Sequence, residues 1–176
     1  MPTPTYVAIA KTVLTGSQTT VVFSSIVSTY TDLVLVISAR GSAAVNIADL
    51  AVKINALTAN YTTTQLRGNS STASSFRDTA TSIFNLYSNI SGGSTTSNTF
   101  GSVELYLPNY AGSTNKVMSS TGVAENNSST AGQSAVNANA SLLSNTAAIT
   151  DITLSLSAGG DFVSGSRFDL YGIKNS

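Results

Sequence analysis

Asp32-Leu-Val-Leu-Val-Ile-Ser-Ala-Arg40 decides the fold class of this chain. Leu33 to Ile37 is an unbroken apolar run of five residues, rich in β-branched side chains and too short for a buried helix. An extended backbone puts Leu33, Leu35 and Ile37 on one face and Val34 and Val36 on the other, which is the pattern of a buried strand. Downstream, Phe100 to Leu107 sets Val103, Leu105 and Leu107 against Ser102, Glu104 and Tyr106. Upstream, Tyr6 to Leu14 is a first strand, closed by Gly16-Ser-Gln18, and Thr19 to Phe23 follows at hairpin distance. Ala51 to Asn55, Tyr61 to Arg67, Ser82 to Ile90, Ile152 to Leu156 and Arg167 to Ile173 carry the same period, and Lys116 to Val123 and Ala135 to Leu143 carry it less completely. About ten short strands at this spacing predict an all-β, antiparallel two-sheet sandwich, with a jelly roll as its specific form.

Gly68 to Ser75, Ser91 to Asn98 and Glu125 to Gly132 are short, Ser/Asn-rich stretches that read as surface loops of that sandwich. Ser42 to Leu50 and Gln133 to Leu143 are the two places where a helical turn competes with strand. Pro2 and Pro4 predict an extended N-terminal arm over residues 1–8, ahead of one domain over 9–176.

Composition excludes whole classes of chemistry. The chain of 176 residues has no Cys, His or Trp, eight basic and eight acidic residues, and 29 Ser, 24 Thr and 15 Asn. Without Cys or His there is no disulfide frame, no zinc or haem site of the usual kind and no Ser-His or Cys-His nucleophile. Zero net charge argues against nucleic acid, which needs a clustered basic surface. The first residues lack a basic leader and Lys11 interrupts their apolar stretch, so neither a secretory signal nor a membrane partner is expected.

What chemistry remains is sparse. A carboxylate pair such as Asp151 and Asp169 is the one catalytic arrangement left, and pairing with Arg167 or Lys174 is the simpler role for these residues. Asp161, after Ala158-Gly-Gly160, suits a turn that bonds its own backbone better than a calcium site. No enzyme and no cofactor is expected. The Asn-x-Ser/Thr triplets at Asn60, Asn69, Asn89, Asn126, Asn127 and Asn139 are what this composition produces by chance. Among seven tyrosines, Tyr110 in Pro108-Asn-Tyr-Ala-Gly112 reads as the exposed one, able to stack on a sugar or anchor an interface. Pro2, Pro4 and Tyr6 are the other interface candidates.

Three segments carry a family resemblance. Phe23-Ser-Ser-Ile-Val-Ser-Thr-Tyr-Thr-Asp-Leu-Val-Leu-Val-Ile-Ser-Ala-Arg40, Lys53-Ile-Asn55 with Asn60-Tyr-Thr-Thr-Thr64, and Gly165-Ser-Arg-Phe-Asp-Leu-Tyr-Gly-Ile173 resemble, in this order, small virion proteins of tailed bacteriophages. The chain departs from that pattern at Asn55-Ala-Leu57, where relatives carry Asn-Gly-Asp. The resemblance implies a β-sandwich on the outer surface of a phage particle, made in the host cytoplasm. With the short length and low charge, the first expectation is a head decoration (cement) protein. Its partners would be the major capsid protein and copies of itself, with a homotrimer as one arrangement. The alternative is a tail-fibre or receptor-binding module that reads host glycans through loops 68–75, 91–98 and 108–115.

Overall fold

The computed structural model describes residues 5–69, 72–127 and 132–174. The period-two pattern becomes twelve strands among them, and those residues contain no helix. The strands are β1 (Tyr6–Val13), β2 (Thr20–Phe23), β3 (Asp32–Ala39), β4 (Ile47–Ile54), β5 (Tyr61–Asn69) and β6 (Thr72–Thr81). They continue with β7 (Phe84–Ser91), β8 (Gly101–Leu107), β9 (Lys116–Ala124), β10 (Ala135–Leu143), β11 (Ile152–Leu156) and β12 (Arg167–Ile173). One antiparallel sheet has the order β1-β12-β3-β8-β9-β10-β5-β6, and the other the order β2-β11-β4-β7. A jelly roll is eight strands in two Greek keys. The order found here establishes the sandwich and not that specific topology.

The sheets face each other, and β7 lies across β5, β8, β9 and β10. Leu33, Leu35 and Ile37 of β3 meet Leu50, Val52 and Ile54 of β4, Ile152 and Leu154 of β11 and Phe168 and Leu170 of β12 in one apolar core. Each such side chain contributes about 1.5–3 kcal/mol relative to exposure, which holds the sandwich without disulfides. Along one side the β5–β6 hairpin folds against β7. There the Tyr87 hydroxyl donates to Asp78 Oδ2 at 2.7 Å, and the Arg67 guanidinium lies 4.8 Å from the centre of the Phe76 ring.

Four expectations are corrected. Ser42 to Leu50 makes no helical turn: Ile47 to Leu50 open β4 and pair with β7, burying Ala48 and Leu50. A helix this short is marginal by itself, so burial against a neighbouring strand wins. Within Gln133 to Leu143, Ala135 to Leu143 likewise becomes β10, paired on both sides by β9 and β5. The expected loop 68–75 belongs mostly to β5 and β6, whose pairing continues to Asn69 opposite Thr72. Tyr6 to Ala8, expected in an arm over residues 1–8, belong instead to β1 and pair with β12.

The first and last of the segments that carry the resemblance are spatial neighbours. Asp32 to Ser38 pair with Arg167 to Ile173, and the Tyr30 ring lies on Gly172, where an added Cβ would stand 2.3 Å from it. Between β4 and β5 the chain turns through Asn55, Ala56 and Asn60, all with positive φ. The Tyr61 hydroxyl closes this turn by accepting from Ile54 N at 3.0 Å and donating to Ile54 O at 3.1 Å. Ala56 occupies a left-handed position (φ 53°) that glycine would fill without strain.

Candidate interaction surfaces

Charge is the scarcest resource in this sequence, and much of it is spent holding loops. Arg40 leaves the end of β3 almost fully buried. Its guanidinium donates to Thr95 Oγ1 (2.6 Å) and to the carbonyls of Gly93, Thr95, Thr96 and Thr99 at 2.8–3.1 Å. Loop 91–98 is therefore wrapped around a cation. It also reaches the next loop, where Thr96 Oγ1 donates to Asn126 O at 2.9 Å.

Lys116, at the start of β9, does the same at the other end of the sandwich. Its ammonium donates to the carbonyls of Gly112, Thr114 and Thr146. Burial pushes this lysine below its usual pKa, while the three carbonyls favour the charged form. Lys116→Met should cost about 1–2 kcal/mol in urea unfolding, because three part-buried carbonyls lose their donor. An unchanged midpoint would show that water replaces the ammonium fully.

Tyr110 is corrected from exposed to buried. It is 0% accessible and belongs to the core. Asn109 takes a left-handed φ of 49°, its N–H donates to Asp32 Oδ1 at 2.8 Å, and the chain so redirected turns the next side chain inward. The Tyr110 hydroxyl donates to Val27 O and accepts from Tyr30 N. Tyr6 is exposed (56%) and packs edge-on against Tyr171, with ring centres 6.3 Å apart. Pro2 and Pro4 lie outside the described residues.

The acids take quiet roles. Asp169 is ion-paired with Arg167 on the same strand, and Asp151 accepts from Thr153 Oγ1 at 3.2 Å. Asp161 accepts from Thr19 Oγ1 at 2.9 Å, and its N–H donates to Ser42 Oγ. Among the described residues no three potential ligands cluster as a metal site would require. Asp49 accepts from Ser88 N at 2.7 Å, and burial raises its pKa above 3.8 despite that bond and nearby Arg67. A raised folded-state pKa gives stability that is present below 3.8 and lost as pH rises through the folded value. Asp49→Asn keeps the acceptor without the charge, so its stability relative to the parent should rise across that window. Unfolding curves for both proteins at a series of acidic pH values check this, and a constant difference would contradict it.

A polar layer that the sequence did not announce lies beneath β7. Gln65 of β5 donates to Tyr87 O (2.8 Å) and Asn137 Oδ1 (2.7 Å), and Asn137 donates to Ser88 O (2.8 Å). Asn139 donates to Ser120 Oγ at 3.0 Å, and buried Asn89 rests on Gly122, where a Cβ would stand 2.2 Å from its Oδ1. β10 thus turns Asn137, Asn139 and Ser141 inward, beside Gln65 of β5 and Ser120 of β9.

Leu66, Val117, Val123, Val136 and Leu142 of these strands face out beside Thr62, Thr64, Ser119 and Thr121, while Tyr61, Met118 and Leu143 enter the core. Across the outer face the register aligns Glu104, Thr121, Ala138, Leu66 and Ser75 in one row and Tyr106, Ser119, Ala140, Thr64 and Arg77 in the next. Leu66 (61%) and Val136 (58%) are the most exposed, joined by Val117, Val123 and Leu142. Two grooves of about 480 and 490 Å³ cross this face, floored by Thr121 and Ala138 and by Ser119 and Ala140. The outer positions of β9, β10 and β5 carry no charge among the described residues. Leu66, Val117, Val123, Val136 and Leu142 thus share one sheet face and are exposed on it.

The three loops named for glycan reading do not converge. The β5–β6 tip and loop 91–98 lie at the end where β8 starts, and loop 108–115 lies where β8 finishes. Among the described residues no helix is long and apolar enough to cross a membrane. No protein-family model matches the chain, and no curated protein matches it.

Proposed function

We propose that this chain is a structural virion protein of a tailed phage, a head decoration module that binds the outer capsid lattice in many copies. The observation that carries this reading is the distribution of charge. Arg40, Lys116 and Asp32 are buried and bind loops, while β9, β10 and β5 present an uncharged face of Val, Leu, Ala, Thr and Ser to the outside. A surface of that kind is suited to being covered by protein, and loops clamped at both ends keep the module rigid enough to tile. The glycan-reading alternative draws less support, because its loops sit at opposite ends and its aromatic anchor, Tyr110, is inside the core.

The test is reconstitution. Purified chain added to capsids that lack it should bind saturably, with a site number set by the lattice. Binding to host surface glycan with none to capsids would overturn the reading. Deleting residues 1–4, which precede β1, tests the arm separately, and undiminished occupancy would remove any role for Pro2 and Pro4.

A further inference from the structure

We propose that the outer face of the larger sheet is a self-association surface, on which a second copy of this chain packs face to face about a two-fold axis along β10. The inference rests on the assembly reading and deepens it by naming the face and the partner. β10 is the middle of five consecutive strands, β8-β9-β10-β5-β6. A two-fold along it lays β5 of one copy over β9 of the other, and β6 over β8. Such an isologous contact requires a surface complementary to itself.

The register meets that requirement. Val123 of β9 and Gly68 of β5 both stand level with Val136. The axis therefore sets the valine of one copy over the bare glycine of the other. Leu66 and Thr121 both stand level with Ala138, so the larger side chain again meets a smaller one. Val136 and Leu142, on the axis strand, meet their own counterparts.

Charge completes the match. Arg77 on β6 shares a row with Tyr106 on β8, and Glu104 stands two residues from Tyr106 on the same face. The axis brings the Arg77 guanidinium of one copy over the Tyr106 ring of the other, with Glu104 beside it, and does so twice. Among the described residues neither Arg77 nor Glu104 enters an ion pair. A guanidinium, an aromatic face and a carboxylate form a favourable set.

Area sets the strength. Five strands about 4.8 Å apart and about 8 residues long at about 3.3 Å each make a face of about 600 Å² per copy. Two such faces bury about 1,200 Å², the lower bound for a specific interface, so a reversible dimer is the expected state.

Sedimentation velocity of the full chain, from low micromolar to several hundred micromolar, tests this. The expected result is a monomer–dimer equilibrium that Val136→Lys abolishes. Glu104→Arg or Arg77→Glu alone should weaken it by about tenfold, since like charges then meet twice. The double exchange Glu104→Arg with Arg77→Glu should restore it, which a damaged fold could not do. A monomer at every concentration, a dimer indifferent to these changes, or an exchange that fails to rescue a folded protein would each overturn the inference. A monomer that still saturates bare capsids would sink the two-fold contact and leave the decoration reading standing.

Discussion

Arg40→Ala is expected to lower the unfolding free energy by about 3–5 kcal/mol, the range for stripping one partner from a buried charged network. The guanidinium serves four carbonyls and one hydroxyl of residues 93–99, and none of those carbonyls belongs to a strand ladder. Without the cation they must find water, and the loop has to open to admit it. Arg40→Lys should recover only part of the loss, because an ammonium is a point donor and the acceptors are spread around a planar fork. Urea unfolding of the two variants measures this. Lysine equal to arginine would mean that charge alone, and not the fork, holds the loop. A loss under 1 kcal/mol for alanine would mean that the loop is held by something else.

Tyr110→Ala should cost about 3–5 kcal/mol, the range for truncating a fully buried aromatic ring. Tyr110→Phe isolates the hydroxyl and should cost about 1–2 kcal/mol, because Val27 O then lacks its donor. This ordering separates a core residue from a ligand-binding one. A sugar-stacking tyrosine would lose affinity on truncation with little change in stability, whereas here the thermal midpoint should fall steeply. An alanine variant as stable as the parent would return Tyr110 to the surface.

The apolar half of the fold was legible, and the polar half was not. Leu33 to Ile37 and Val103 to Leu107 turn aliphatic residues inward, so hydrophobic alternation reports both their strand state and their face. β10 alternates just as strictly, but Asn137, Asn139 and Ser141 point inward while Val136, Ala138 and Leu142 point outward. A rule that places apolar residues inside reads such a strand weakly and on the wrong face. β6 is an edge strand with mostly exposed residues, so its Ser and Thr resemble a loop.

Tyr110 was misplaced for a related reason. Pro108-Asn-Tyr-Ala-Gly112 has the composition of an exposed turn, and only the left-handed φ of Asn109 shows that the tyrosine turns inward. Nothing in the spacing of Arg40 announced acceptors more than fifty residues downstream. The low charge was informative from the start, and its placement sharpens it: Arg40, Lys116 and Asp32 are buried, and among the described residues the outer positions of β9, β10 and β5 carry no charge.

The central claim is that this molecule works in bulk, covered by neighbours. Its most direct test is the copy number of the chain in purified particles, measured by quantitative gel densitometry against the major capsid protein. The account predicts on the order of hundreds of copies per particle, in a fixed ratio to the capsid lattice. A few copies, or a few dozen, would place the chain on the tail and contradict it.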